Sequence, residues 1–229
     1  MTPERLRANL DEIQRRIADV CALSGRQAPP RLLVASKYLS TEEMGVLRGA
    51  GIRLVGENRA DELEKKWQKW NDAFEFHFIG HVQSRKVRQV LPYVSLIHSV
   101  ESISLVEELE GRTESEVKVL LEVNVAGEET NYGILLEAAE AFLERAAAYR
   151  SIVFVGLMTM APLVDDPETA RPYFRGLREL RDHLATAFTG RYELTELSMG
   201  MSNDYEVAVE EGATIVRLGS ALFSSGQGG

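Results

Sequence analysis

Short apolar runs alternate with helical segments along almost the whole chain. The runs that we interpret as strands are residues 32–36, 53–55, 76–79, 96–100, 117–125, 152–160, 194–199 and 214–218. Apolar residues recur at helical spacing between them, as in segments 135–143 and 168–188. This alternation predicts a parallel sheet with right-handed crossovers. Eight strands in 229 residues favour one closed (β/α)8 barrel of the TIM type over an open doubly wound sheet.

The domain organisation predicted from the sequence is simple. No linker rich in proline, glycine or serine divides the chain, so we expect residues 1–229 to form a single barrel domain without a C-terminal β-domain. Apolar residues at helical spacing predict an N-terminal helix within residues 1–24. Since the chain ends soon after the eighth strand, we expect this helix to cover the place of a final barrel helix. We expect the tail, 224–229, to be frayed.

Composition excludes several classes of partner. The net charge of −9 argues against nucleic acid, because phosphate contacts need clustered Lys and Arg. No apolar run is long enough to span a membrane. The single cysteine, Cys21, fits a reducing cytoplasm. No metal site is predicted, because the four histidines lack paired spacing and there is no cysteine cluster. We therefore expect a cytoplasmic monomer.

Lys37 follows the first predicted strand directly, where α/β folds place their chemistry. A desolvated lysine amine can act as a nucleophile and form a Schiff base with a carbonyl. Strand-end positions also carry His77, Ser198 and Arg217. Each of these alone is more often a satisfied polar group of the core, and Arg217 could be a buried member of an ion pair with Glu122. Their shared location at one end of the barrel favours a common site.

Two turns of small residues follow the last two predicted strands. The first covers residues 198–202 and leads into a helix, and the second covers residues 218–220. Small turns expose backbone N–H groups, and the loops after strands seven and eight of such barrels commonly hold phosphate. Together these turns predict a phosphate site.

Stretches that match one known family run in order over nearly the whole chain. They are residues 34–37, 56–58, 77–80, 98–100, 123–125, 156–158, 197–204 and 216–220, with Gln83 and Lys86. On these stretches the chain resembles the pyridoxal phosphate homeostasis proteins (the YggS/PROSC type). The resemblance implies a fold-type III pyridoxal phosphate barrel, like the barrel half of alanine racemase.

The resemblance also implies roles for individual residues. Lys37 would carry pyridoxal 5′-phosphate as a Schiff base, Asn58 would line the ring, and Arg217 would face the pyridine nitrogen. Ser202, Gly219 and Ser220, with the amide of Met201, would hold the phosphate. The complete set of cofactor-binding residues that we predict is Lys37, Asn58, His77, Met158, Ser198, Met201, Ser202, Arg217, Gly219 and Ser220.

Family members are regarded as carriers or regulators of pyridoxal phosphate supply, in vitamin B6 homeostasis, without robust catalysis. The predicted position of Arg217 agrees with this role. Pyridoxal phosphate stabilises carbanions best with a protonated ring nitrogen, and an arginine there disfavours protonation because two positive charges would face each other. Recipients of the cofactor would be apo-enzymes.

Two alternatives remain open. An amino-acid racemase-like pyridoxal phosphate enzyme would use the same Lys37, but racemisation needs a second base. In alanine racemases that base comes from an additional β-domain of a partner subunit, for which this chain has no residues left. A Schiff-base aldolase acting on a sugar phosphate would use Lys37 without a cofactor. The sequence identifies no acid/base carboxylate or tyrosine for that reaction.

The chain departs from the family pattern at three positions. Asn131 stands where many members carry lysine, two residues before Gly133. Arg85 replaces a common asparagine before Lys86, and Ser220 replaces the usual threonine of the last phosphate turn while keeping the hydroxyl. The lysine that many members carry at position 131 could serve cofactor transfer or a second binding site, and Asn131 cannot supply its amine. The predicted Schiff-base site is unaffected by this change.

Overall fold

The computed structural model describes residues 2–127 and 132–224, and the chain forms a closed barrel of eight parallel strands. The barrel strands follow the order β1-β2-β3-β4-β5-β7-β8-β9, and pairing of β9 with β1 closes the ring. The short strand β6 adds to β5 outside the ring. The strands are β1 (Arg31–Ala35), β2 (Leu54–Glu57), β3 (Glu75–Phe78), β4 (Leu96–Val100), β5 (Val117–Asn124), β6 (Ile134–Leu135), β7 (Ile152–Met158), β8 (Glu196–Ser198) and β9 (Ile215–Leu218). The predicted barrel is confirmed.

Helices surround the barrel. They are α1 (Pro3–Leu23), α2 (Gly45–Gly49), α3 (Ala60–Trp70), α4 (Ile103–Glu110), α5 (Ala139–Ala146), α6 (Arg171–Ala187), α7 (Tyr205–Glu210) and α8 (Ser220–Phe223). Within the described ranges, no helix has both the length and the apolar character needed to cross a bilayer.

Helix α1 lies against α7 and α8, which follow the last strands. Oγ1 of Thr2 caps α1 by accepting a hydrogen bond from the Arg5 N–H at 3.3 Å. Nδ2 of Asn9 donates to the carbonyl of Leu222 in α8 at 2.9 Å. A buried apolar stripe of α1 completes the contact (Leu6, Leu10, Ile13, Ile17 and Val20). The N-terminal helix thus packs beside the helices that follow the final strands.

The apolar core has two layers. The larger lies between the strands and the helices, where most buried apolar side chains pack. The smaller fills the barrel interior and consists of Leu33, Leu54, Leu96, Leu120, Met158 and Ile215. Met158, a predicted cofactor-binding residue, is 1% exposed and belongs to this inner layer.

Most strand boundaries shift by one or two residues from the sequence predictions, and three differences change the element in which a residue lies. The first strand ends at Ala35, so Lys37 lies on a single 3₁₀ turn, Ser36–Tyr38. The strand predicted over 194–199 begins only at Glu196, because Leu194 has a left-handed φ of 37° that a strand cannot contain. Leu135, assigned to a helical segment, lies in β6, where it pairs with Asn124 at the end of β5.

Candidate functional site

A pocket of about 280 Å³ opens at the carboxyl ends of the barrel strands. Seven of the ten predicted cofactor-binding residues line it: Lys37, Asn58, Met201, Ser202, Arg217, Gly219 and Ser220. Loop residues 160–164 form the opposite wall. The structure therefore brings together the predicted lysine, the predicted arginine and both small-residue turns.

Lys37 lies at the rim of this pocket with its side chain exposed. Its Nζ lies 5.2 Å from the ring centroid of Tyr38, and among the described residues it makes no hydrogen bond or ion pair. The sequence suggested a desolvated lysine. The structure instead shows an accessible one, because Lys37 sits on the turn beyond β1 rather than inside the strand end.

A buried ion pair anchors the turn that carries Lys37. Nζ of Lys66 lies 2.6 Å from Oε2 of Glu57 and donates to the carbonyl of Ser36 at 2.9 Å. Oγ of Ser36 donates to the same Glu57 oxygen at 2.9 Å. The other oxygen, Oε1, accepts from the backbone N–H of Asn58 at 2.8 Å. One carboxylate thus ties together the segments that carry Lys37 and Asn58.

The sequence prediction missed this anchor. We interpreted Glu57 as a first-turn residue of the following helix, but it is the last residue of β2 and is fully buried. Lys66, nine positions later, lies on the inner face of the otherwise charged helix α3. Lys66 follows the apolar residues Ala60 and Leu63 at three-residue intervals, and this spacing on one helix face could have indicated that the lysine is buried.

Asn58 is also held by a close approach of the backbone. A Cβ at Gly80 would lie 2.5 Å from the carbonyl oxygen of Asn58 and 2.6 Å from its Cβ. Only glycine leaves room for this contact. Gly80 thereby fixes where Asn58 lies in the pocket wall.

Arg217 is buried at the base of the pocket. Its Nη1 donates to the carbonyl and the hydroxyl of Ser198 at 2.8 and 2.7 Å, and its Nη2 donates to the carbonyl of Thr159 at 2.8 Å. A guanidinium has five N–H donors, so the Nε–H and one Nη2–H have no protein acceptor within the described residues. Burial lowers the pKa of Arg217 to about 10, which leaves it charged at neutral pH.

The ion pair of Arg217 with Glu122 that the sequence suggested does not form; the two groups interact only at longer range. Burial, reinforced by the negative charge of Glu101, raises the pKa of Glu122 to about 7, and Arg217 opposes this rise. Glu122 is 3% exposed. Near neutral pH its carboxyl therefore carries a proton part of the time.

Three predicted cofactor-binding residues do not line the pocket. His77 and Ser198 lie inside the barrel, where His77 bonds Glu75 and His98, and Ser198 bonds His98 and Arg217. Met158 packs in the inner apolar layer. All three lie inside the barrel rather than in the pocket lining, so the expectation of one common mouth is corrected for His77 and Ser198.

The two small-residue turns are joined by Ser202. Its Oγ accepts hydrogen bonds from the N–H groups of Gly219 at 3.2 Å and Ala221 at 3.1 Å. The N–H groups of Ser202 and Ser220 have no acceptor among the described residues, and neither does that of Asn203. These three N–H groups are the donors that the turns offer to an anion.

The amide of Met201, predicted to bind phosphate, has a partner within the protein. It donates to Oδ1 of Asp204 at 2.6 Å. Asp204 is 5% exposed and burial raises the pKa of its carboxyl. The Met201 N–H therefore fixes the shape of the turn, and the N–H groups without an acceptor among the described residues are those of its neighbours Ser202 and Asn203.

Tyr38 is a pocket residue that the sequence analysis missed. Its ring packs over Gly219, where a Cβ would lie 2.4 Å from Cε2 of Tyr38, and it contacts the ring of Phe223 at 5.7 Å between centroids. A side chain at position 219 would therefore displace the ring of Tyr38. The aromatic residue next to Lys37 was the only sequence signal.

Of the positions at which the chain departs from the family pattern, Ser220 lines this pocket and Arg85 does not. Arg85 donates from Nε to Oε1 of Gln83 at 3.0 Å, and neither side chain lines the pocket. Asn131 lies outside the described residues.

Comparison with known proteins identifies the family of this chain. Residues 3–226 match the family described as alanine racemase, N-terminal domain. A pyridoxal phosphate homeostasis protein of Aquifex aeolicus is 42% identical over 219 residues, which cover 93% of this chain and 95% of that protein. The chain belongs to the pyridoxal phosphate homeostasis protein family. The family predicted from the sequence is confirmed.

Two solved structures have folds similar to that of this chain. The structure of PipY from Synechococcus elongatus, with PLP bound, has a TM-score of 0.77 and 32% identity, and the match covers 91% of this chain and all of that one. A protein of unknown function from Bifidobacterium adolescentis has a TM-score of 0.88 and 35% identity, with 96% and 95% covered.

Proposed function

We propose that this protein binds pyridoxal 5′-phosphate covalently through Lys37 and acts in vitamin B6 homeostasis as a carrier or regulator without robust catalysis. In this proposal it works as a cytoplasmic monomer and releases the cofactor to apo-enzymes. The observation that carries the proposal is one pocket lined by an accessible lysine amine, a buried arginine and backbone N–H groups that have no acceptor among the described residues.

The residues fit the three polar ends of the cofactor. The Nζ of Lys37, which has no hydrogen-bond or ion-pair partner in the described part of the chain, suits the aldehyde. The free N–H groups of Ser202, Asn203 and Ser220 suit the phosphate. The free donors of Arg217 suit a neutral pyridine nitrogen, which accepts a hydrogen bond. The structure of the related protein PipY, which has PLP bound, supports the proposal that this chain binds the same cofactor.

Arg217 supports the non-catalytic part of the proposal. When bound, pyridoxal phosphate supplies an electron sink whose strength depends on a protonated ring nitrogen. Arg217 stays cationic and donates hydrogen bonds. A positive charge at this position disfavours protonation of the pyridine nitrogen. Amino-acid chemistry at the α-carbon should therefore be slow.

Absorption spectra test cofactor binding. Addition of pyridoxal phosphate to the purified protein should give a visible band that borohydride removes. An aldolase that uses Lys37 directly would show no such band without its sugar phosphate substrate. Absence of the band would contradict the proposal.

Incubation of the loaded protein with L-alanine in heavy water tests the absence of robust catalysis. We expect α-proton exchange and D-alanine formation far below the ordinary enzyme range of about 1–10³ per second. Turnover within that range would favour the racemase-like alternative.

A further inference from the structure

A chain of hydrogen bonds crosses the barrel interior from the cofactor pocket to the opposite mouth. Starting at the pocket, Nη1 of Arg217 lies 2.7 Å from Oγ of Ser198, which lies 2.9 Å from Nδ1 of His98. Nε2 of His98 lies 2.9 Å from Nδ1 of His77, whose Nε2 lies 2.9 Å from Oε1 of Glu75. The four intervening contacts link two residues that lie at opposite ends of the barrel.

The far end of this chain is open to solvent. Glu75 is the first residue of β3, and its side chain is 47% exposed. It borders a cavity of about 550 Å³ whose lining includes the first residues of four other strands, Arg31, Leu96, Val117 and Glu196. The cofactor pocket and this cavity therefore lie on opposite faces of the barrel, connected by the polar chain.

We propose that Glu75 is a positioning residue for Arg217, acting through His77, His98 and Ser198. This inference rests on the proposed function, because positioning of Arg217 matters only if Arg217 faces the bound cofactor.

The chemistry of the two ends gives the chain a direction. A carboxylate only accepts hydrogen bonds, so Nε2 of His77 carries the hydrogen in its contact with Glu75. Nδ1 of a neutral His77 then accepts, and Nε2 of His98 donates to it. Nδ1 of His98 in turn accepts from the hydroxyl of Ser198. Both imidazoles are thereby fixed as Nε2–H tautomers.

The surroundings keep both rings neutral. Burial lowers the pKa of His77, against the opposing effect of Glu75; Arg31 lowers it further and Glu196 raises it. Burial also holds the pKa of His98 well below its ordinary value, reinforced by His77, Arg217 and Arg31.

Glu75 itself stays ionised. The hydrogen bond from His77 is the main cause that lowers its carboxyl pKa to about 2, helped by Ser95 and by the charge of Arg31. The acceptor at the end of the chain is thus present at every physiological pH.

The direction of the chain decides how Ser198 meets Arg217. With its hydrogen pointing at His98, the hydroxyl oxygen offers lone pairs to Nη1 of Arg217. In the reversed chain, His98 would donate to the same oxygen, and the serine hydrogen would lack an acceptor at a fully buried site. Removal of the acceptor at Glu75 permits this reversal. Ser198 then no longer donates to His98, and its oxygen, shared between two donors, becomes a weaker acceptor for Arg217.

The first experiment needs no cofactor. In ¹⁵N spectra of the unloaded protein at pH 7, we expect His77 and His98 to be neutral Nε2–H tautomers. In the Glu75→Leu variant, Nδ1–H forms should become populated, and the guanidinium hydrogens of Arg217 should exchange faster with solvent. Nδ1–H tautomers in the wild type, or unchanged spectra in Glu75→Leu, would overturn the inference.

The second experiment measures release of pyridoxal phosphate from the loaded protein. We expect Glu75→Leu to release it about three- to tenfold faster, the effect of one weakened hydrogen bond, with a shifted absorption band. Glu75→Gln keeps a carbonyl acceptor and should restore wild-type release. Glu116→Leu removes an exposed carboxylate from the same cavity without touching the chain and should change neither readout.

The outcomes separate the two proposals. Altered tautomers with unchanged cofactor release would show that the chain does not position Arg217. A wild-type protein that forms no visible band would refute the proposed function, while the spectra of the unloaded protein would still decide whether Glu75 controls Arg217.

Discussion

Nζ of Lys66 lies 2.6 Å from Oε2 of Glu57, and both side chains are at least 98% buried. Glu57 also bonds Ser36 and the N–H of Asn58, which flank the pocket. Because each ion has lost its water, each depends on the other and on the neighbouring polar groups. The pair therefore combines a structural role with positioning of the pocket.

Loss of one partner should destabilise the fold strongly. Lys66→Met leaves Glu57 charged and buried without its counter-ion, which typically costs about 3–5 kcal/mol of unfolding free energy. Urea denaturation measures this. Lys65→Met, on the exposed face of the same helix, removes only a surface pair with Glu62 and should leave the free energy nearly unchanged. The double replacement Glu57→Leu with Lys66→Met should recover much of the loss; an undiminished loss would contradict this account.

Gly80→Ala should weaken cofactor binding. The new Cβ would lie 2.5 Å from the Asn58 carbonyl, so Asn58 must move out of the pocket wall. We expect at least a tenfold rise in the dissociation constant for pyridoxal phosphate, equivalent to about 1.4 kcal/mol, measured by absorbance titration. Gly176→Ala meets open space in α6 and should leave binding unchanged while stabilising the helix. Equal binding by the two variants would refute the role of Gly80.

Ser202→Ala should impair recognition of the phosphate selectively. It removes the oxygen that accepts from the N–H groups of Gly219 and Ala221, so the two turns lose their connection. Hydrogen bonds to charged groups contribute about 1.5–3 kcal/mol each, so the wild type should prefer pyridoxal phosphate strongly over pyridoxal. The preference should shrink in Ser202→Ala, because only phosphate binding weakens. Comparable wild-type affinities for both aldehydes would argue against the phosphate site.

Stability of the unloaded protein should fall as Glu122 ionises. Its folded pKa, about 7, lies above the ordinary value of 4.5, so the fold favours the neutral carboxyl. The associated stability is complete below about pH 4.5 and is lost as the pH rises through 7, a change of about 2–4 kcal/mol.

Glu122→Gln tests this pH dependence by thermal or urea unfolding between pH 5 and 8. It should be close to the wild type at pH 5 and more stable at pH 8. Glu116→Gln, at the exposed amino end of β5, supplies the matched control and should follow the wild-type curve. If the wild type were more stable than Glu122→Gln at pH 8, the fold would be stabilising the ionised carboxylate, which would contradict this account.

The barrel was predictable because its signals are local. The strands are short, mostly apolar runs in which most residues are buried, and helical spacing recurs between them. Two predicted strand ends were wrong because a local backbone conformation interrupts the apolar run. The left-handed Leu194 delays the start of β8, and the turn that begins at Ser36 places Lys37 beyond β1.

The pocket residues were predictable only in part. Lys37, Arg217 and the two turns carry chemistry that the sequence displays. The side-chain directions of His77 and Ser198 depend on the stagger of the strands, which places them inside the barrel. The pairing of Glu57 with Lys66 and the packing of Tyr38 on Gly219 arise from contacts between separate elements, which spacing alone does not reveal.

The covalent attachment site tests the central claim most directly. The protein is loaded with pyridoxal phosphate, reduced with borohydride and digested, and the labelled peptide is identified by mass spectrometry. We predict the label on Lys37, and loss of the visible band in a folded Lys37→Ala variant. A label on Lys86 or Lys118, with Lys37 unmodified, would contradict the account.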